Sequence, residues 1–279
     1  MATAPGARGE LLSFDWLGAC QRAVEGLREV LAENPTSRER VIETGETGGG
    51  GDQTLVIDAL AEDAVFAQLE RLHAAGARFT AVSEERGEVD YGDPSLRVVI
   101  DPIDGSLNAK RTLPAYSFSF AVASGPTMAD VDVGYVYDFG TGEEWTAVRG
   151  GGATLNGAPL DPELPERRGG DGRVEVLGIE SADPRWVAAV ADDLVPVAYR
   201  LRALGSIAIT LCQVAAARLD AMISLKRARA VDAAAGQLIA REGGAVFAPL
   251  DMELDVRPRA SVMAARSQET LDVLAALVD

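Results

Sequence analysis

The chain reads as a mixed α/β protein built in layers, and three observations predict this. Apolar residues recur with helical spacing twice near the start. Short apolar runs broken by glycines fill the middle. Strand-like and helix-like segments then alternate to the end. At 279 residues the chain can bury a full core. The expected organisation is a tail over 1–10 and a single domain over 11–279, in two halves, 11–165 and 174–279.

Taken in order, Leu12, Trp16, Ala19, Ala23, Leu27, Val30 and Leu31 predict a helix over 11–32. The glycine-rich stretch 45–51 predicts a flexible loop, and it lacks the Gly-Lys-Ser/Thr ending of a nucleotide phosphate loop. Asp58 opens a second helix through Ala61, Val65, Leu69 and Leu72. A strand over 79–82 then runs into Ser83-Glu84-Glu85. Apolar residues 96–100 predict a strand that stops at Asp101-Pro102-Ile103-Asp104-Gly105-Ser106. Strands 116–123, 131–137, 144–148 and 153–155, separated by Gly140, Gly142 and the Gly150–Gly152 run, predict an antiparallel meander. Residues 161–173, rich in Pro, Gly and Arg, predict a surface connection. Beyond it the pattern predicts strands at 174–179, 197–201, 219–224, 245–248 and 261–265, with helices at 184–193, 206–217, 232–242 and 268–278.

Net charge is −17, which argues against nucleic acid or an anionic membrane as partner. No apolar run reaches the about 18 residues that a membrane span needs. Met1–Gly9 lacks the basic-then-apolar pattern of a secretory leader. Cys20 and Cys212 lie on apolar helical patterns and are expected to be buried thiols, which suits a reducing cytoplasm. The one histidine, His73, lies on a helix and is expected at the surface, which disfavours serine–histidine hydrolysis.

Three acidic spots border regular elements: Glu84-Glu85, Asp101 with Asp104, and Asp232 in Asp-Ala-Ala-Ala-Gly. Each alone has a bland reading, as a solvated loop, a turn or a helix cap. Together they offer hard oxygen donors suited to Mg²⁺, beside a tight turn whose free amides suit phosphate. An acidic protein that binds an anionic substrate needs such bound cations, or placed arginines, to reverse its local field.

Asp-Pro-Ile-Asp-Gly-Ser, followed by Val231-Asp-Ala-Ala-Ala-Gly and preceded by Ser-Glu-Glu, resembles the inositol monophosphatase superfamily, over residues 11–279. Gly134–Tyr137, Thr141–Glu144, Asn156-Gly157, Leu201–Ser206 and Arg218–Ala221 resemble its archaeal branch, whose members act on fructose-1,6-bisphosphate and inositol phosphates. The resemblance implies an α/β/α/β/α sandwich with the site at the junction of the halves. It implies that Glu84, Asp101, the Ile103 carbonyl, Asp104 and Asp232 hold two or three Mg²⁺ ions, with Asp101 bridging. Mn²⁺ would substitute, and Li⁺ and Ca²⁺ would inhibit. It further implies that the amides of Gly105 and Ser106, together with Asp104, bind the substrate, and that Ser106 paired with Asp58 orients the attacking water. Glu85 would stand behind the metal ligands. A cytoplasmic homodimer is implied.

The chain departs from the family pattern at Val231, where tryptophan is usual. Ile223–Lys226 also lacks the glutamate of inositol-selective members. Lys226 with Arg202, and Arg200 beside it, would instead contact a second phosphate or a sugar oxygen, which tilts the expected substrate toward a sugar bisphosphate. The alternatives are a phosphatase for 3′-phosphoadenosine 5′-phosphate and a non-catalytic regulatory member of the family.

Overall fold

A computed structural model of the chain describes residues 13–47 and 53–278. The expected tail over 1–10 and most of the glycine-rich loop lie outside them. Gly45–Thr47, expected in that loop, instead end strand β1 (Glu43–Thr47), which pairs antiparallel with β2 (Gln53–Leu55).

Two helices form the first layer. Helix α1 (Trp16–Glu33) starts later than its apolar spacing suggests, because Asp15 caps it by accepting from the Gly18 amide at 2.9 Å. A four-residue helix, α2 (Ser37–Arg40), follows, and α3 spans Val56–Ala74. The buried faces of α1 and α3, including Leu27, Val65, Phe66 and Leu69, pack on one face of an eight-stranded sheet. That sheet comprises β3 (Thr80–Ser83), β4 (Gly87–Asp90), β5 (Arg97–Asp104), β6 (Ser117–Ala123), β7 (Val131–Asp138), β8 (Glu144–Val148), β9 (Gly152–Leu155) and β10 (Ala158–Pro159). Its order is β10-β9-β8-β7-β6-β5-β3-β4, with β3 and β5 parallel and the rest an antiparallel meander. A five-residue helix, α4 (Ser106–Lys110), follows β5.

Residues 161–173 cross the surface to a five-stranded sheet ordered β12-β11-β13-β15-β14. Its strands are β11 (Val174–Glu180), β12 (Ala198–Arg202), β13 (Ala221–Ser224), β14 (Val246–Ala248) and β15 (Met263–Ala265). Helices α5 (Pro184–Leu194) and α8 (Gln268–Ala275) cover its outer face through Leu194, Leu271 and Leu274. Between the two sheets lie α6 (Ile207–Ala215) and α7 (Ala230–Glu242). The result is the α/β/α/β/α layering that the resemblance implies.

The middle layer is held at close quarters by small residues. A Cβ on Gly134 of β7 would meet the Ala235 carbonyl of α7 at 2.8 Å, and one on Gly236 would meet Leu211 of α6 at 2.9 Å. Only glycine admits such approaches. Cys20 and Cys212 are both buried, in separate clusters on opposite faces of the first sheet, and both are free thiols.

A candidate metal centre at the junction of the sheets

The geometry starts with an irregularity in β5. Along a regular strand residues three apart face opposite sides. Here Asp101 pairs with Ser119 and Asp104 with Ser117, so three steps on β5 oppose two on β6. The extra residue is a bulge, and it turns both carboxylates to the same side. Pro102 fits within it because it has no amide to contribute to the ladder. Asp232 arrives from the other half, in the first turn of α7, where the positive end of the helix favours a carboxylate. One oxygen from each of Asp101, Asp104 and Asp232 lies within 4.8 Å of the others.

Several of their oxygens are also tied back to the protein. Asp101 Oδ1 accepts from the Ile103 amide at 2.9 Å. Asp104 Oδ2 accepts from the Ala208 amide at 2.9 Å and from the Ser206 hydroxyl, which also caps α6. Both donors on Asp104 therefore sit on one oxygen, leaving Oδ1 for a cation. Burial raises the Asp101 carboxyl well above the usual carboxylate range, with Glu84, Asp104 and Asp232 adding to it. Burial and then Asp232 push Asp104 up to about 8, against its hydrogen bonds from Ser206 and Ala208. Burial likewise brings Glu84 to about 7, with Arg229 opposing and Asp232 reinforcing. A cluster of buried carboxyls that resists ionisation by itself, and offers only hard oxygens, fits a divalent cation such as Mg²⁺.

These groups line a cavity of about 380 Å³ together with Glu84, Ile103, Gly105, Ser106, Asn108, Glu180, Leu204, Gly205 and Arg229. Gly105 precedes α4 with φ +88°; a Cβ there would meet the Ala115 carbonyl at 2.9 Å and that of Gly205 at 3.0 Å. The position therefore demands glycine.

Of the residues singled out in the sequence, Glu84, Asp101, Ile103, Asp104, Gly105, Ser106 and Asp232 share this cavity. The structure does not bring the others to its wall. Asp58 sits half-buried on α3. Burial raises it to about 6, Lys110 opposing and Glu85 reinforcing. Among the described residues no hydrogen bond joins it to Ser106. Arg202 lies exposed on the edge strand β12, its guanidinium donating back to the Leu201 carbonyl at 2.8 Å. Arg200 stacks on Tyr199, 3.8 Å from the ring centre. Lys226 stands 5.7 Å from the Trp186 ring. His73 is half-buried away from the cavity, with Nδ1 3.0 Å from the Ala77 carbonyl.

Three residues were missed. Glu180, 2% exposed at the end of β11, accepts from the Leu204 and Gly205 amides at 3.1 and 3.0 Å and from Thr210 at 2.6 Å. Burial lifts its carboxyl to about 7 against those bonds. Asn108 grips the same segment from the first half, donating to Leu204 at 2.7 Å and Ala115 at 2.8 Å. Arg229 pairs with both Glu84 and Asp232. Its position three residues before Asp232 was the one signal in the sequence.

Residues 15–279 match the model of the inositol monophosphatase family. A fructose-1,6-bisphosphatase/inositol-1-monophosphatase of Methanothermobacter thermautotrophicus is 32% identical over 272 residues, covering 92% of this chain and 94% of that protein. The Nus factor SuhB of Haemophilus influenzae is 30% identical over 256 residues, covering 91% and 92%. A crystal structure of an inositol monophosphatase–fructose 1,6 bisphosphatase superimposes with a TM-score of 0.80 at 27% identity, covering 95% of this chain and all of that one.

Proposed function

The chain belongs to the inositol monophosphatase family and is a metal-dependent phosphate monoester hydrolase, and we propose that its substrates are fructose-1,6-bisphosphate, inositol-1-phosphate or both. The observation that carries this reading is one cavity in which carboxylates from both halves meet the turn at Gly105-Ser106. Relatives over nearly the whole length that are named for both activities support it.

A phosphate monoester and hydroxide repel each other, so the site must neutralise charge and align water with the phosphorus. In this reading Glu84, Asp101, the Ile103 carbonyl, Asp104 and Asp232 hold two or three Mg²⁺ ions, with Mn²⁺ a substitute and Li⁺ and Ca²⁺ inhibitors. Bound divalent ions lower the pKa of water and stabilise the departing oxygen. The chain does the rest. Asp101 and Asp104, fixed by amide and hydroxyl donors, set where positive charge resides. The Gly105 and Ser106 amides hold the phosphoryl oxygens. The Ser106 hydroxyl, paired with Asp58, orients the water, while Lys226 and Arg202 contact the second phosphate of a bisphosphate or a sugar oxygen. A homodimer in the cytoplasm completes the proposal; no described helix is long and apolar enough to cross a membrane.

Similarity to a Nus factor favours a second reading, a regulatory role without turnover. The complete set of oxygen donors favours catalysis. Release of phosphate from fructose-1,6-bisphosphate and myo-inositol-1-phosphate, assayed with Mg²⁺ and with EDTA, separates the two. Hydrolysis that appears only with Mg²⁺ is expected. No release from either ester at saturating Mg²⁺ would leave the regulatory reading standing.

A further inference from the structure

Among the described residues lining the cavity, Arg229 is the one cation. Its guanidinium spans the two halves of the site: Nη1 pairs with Glu84 Oε1, from the loop after β3, and Nη2 lies 3.3 Å from Asp232 Oδ1, on α7. Nε reaches Asp232 Oδ2 at 3.5 Å, and the Arg229 amide donates to the same oxygen at 3.2 Å. The Arg229 side chain is only about a fifth exposed. Burial alone would lower its pKa; Asp232, Glu84 and Asp101 outweigh that and raise it. Glu84 and Asp232 are two of the carboxylates that the proposed metal ions need. A guanidinium paired to them and a divalent cation bound by them compete for the same negative charge.

We infer that Arg229 is a resident counter-cation of the carboxylate cage, which an entering divalent ion displaces and which then meets the anionic substrate from the cavity wall. The inference rests on the metal-site reading above. Without metal, buried like charges repel, and the arginine offsets that repulsion, which keeps the empty cage folded. With metal, the displaced guanidinium remains tethered at residue 229, where a planar, permanently charged fork suits phosphate. Metal entry therefore precedes and prepares substrate binding. Had Arg229 been a fixed strut for Glu84 and Asp232, its removal would loosen the ligands and weaken metal binding. The two roles predict opposite signs.

Calorimetric titration of metal-free full-length protein with MgCl₂ reads this sign. Arg229→Gln is expected to bind Mg²⁺ about tenfold more tightly than the wild type, since no ion pair must break. It is also expected to raise KM for the phosphate ester about tenfold at saturating Mg²⁺, with a smaller change in kcat. Weaker or unchanged Mg²⁺ affinity overturns the inference, and an unchanged KM removes its substrate half. Asp101→Asn, titrated alongside, keeps the two readings apart. Retained Mg²⁺ binding there defeats the metal site itself, whereas lost binding together with unchanged affinity in Arg229→Gln defeats only the arginine exchange. Wild-type protein labelled with ¹⁵N-arginine needs no variant. Its Arg229 Nε–H resonance is expected to move as Mg²⁺ is added, and a signal unmoved through saturation overturns the exchange.

Discussion

Asp101 and Arg202 both stand near the ends of strands, yet only one of them reaches the cavity. Asp101 belongs to β5, inside the first sheet with neighbours on both edges, and a bulge dictates where its side chain points. Arg202 belongs to β12, the edge of the second sheet, where the side chain is exposed and its guanidinium bonds back to the neighbouring Leu201 carbonyl rather than toward the cavity. Lys226 repeats the lesson, exposed and resting against Trp186. Interior strands convert sequence into direction because pairing and burial leave no alternative. Edge strands and loops do not. The β5 carboxylates proposed as metal ligands are therefore set by the core, whereas the side chains proposed to set substrate preference are ones that the fold does not orient.

The contrast can be broken most directly at its interior end. Asp101→Asn is expected to lower phosphate release about a thousandfold or more, because it removes a proposed metal ligand. It should not lower the melting temperature of metal-free protein, since it deletes a buried, self-repelling charge. Near-wild-type turnover would show that the interior carboxylates are not the site.

An intermediate effect belongs to Glu180, which joins the second sheet to the cavity wall. Its carboxyl, near 4.5 when unfolded, is lifted to about 7 in the folded protein by burial. The native state thus holds an extra proton between those values, and stability falls as pH rises through that window. Glu180→Gln should remove that slope, flattening the stability difference between pH 5 and 8 by about 2 kcal/mol in urea melts. An unchanged slope would assign the pH dependence elsewhere.

The smallest effect is expected at the edge. Lys226→Ala and Arg202→Ala should each change kcat/KM for inositol-1-phosphate by less than about threefold. A tenfold loss confined to fructose-1,6-bisphosphate would show that these side chains turn inward around a second phosphate, and it would sharpen the contrast into a specificity mechanism.

Much of this fold was legible because apolar spacing reports burial. The meander, the alternation of the second half and most element centres follow from it. Strand β4 escaped because Gly87–Asp90 holds a single apolar residue, Val89, and α2 and α4 are too short for any period to register. Helix starts shifted to where caps such as Asp15 and Ser206 satisfy the first amides. At the site, residue types were legible and orientation was not. Simple alternation would send Asp101 and Asp104 to opposite faces, and only the bulge against Ser117 and Ser119 reunites them. Glu180 and Arg229 carry no motif of their own in the sequence. Their importance comes from partners far along the chain, the Leu204–Gly205 amides for one and Glu84 for the other.

The tight seating of α7 has an evolutionary corollary. Because its backbone touches Gly134 and Leu211 with no room for an added methyl group, the helix that delivers Asp232 cannot slide or tilt without disturbing both neighbouring layers. Drift in metal preference by repositioning that proposed ligand is thereby opposed. Lineages that diversify this enzyme must do so around the rim, by exchanging side chains at the mouth of the cavity over an immobile floor.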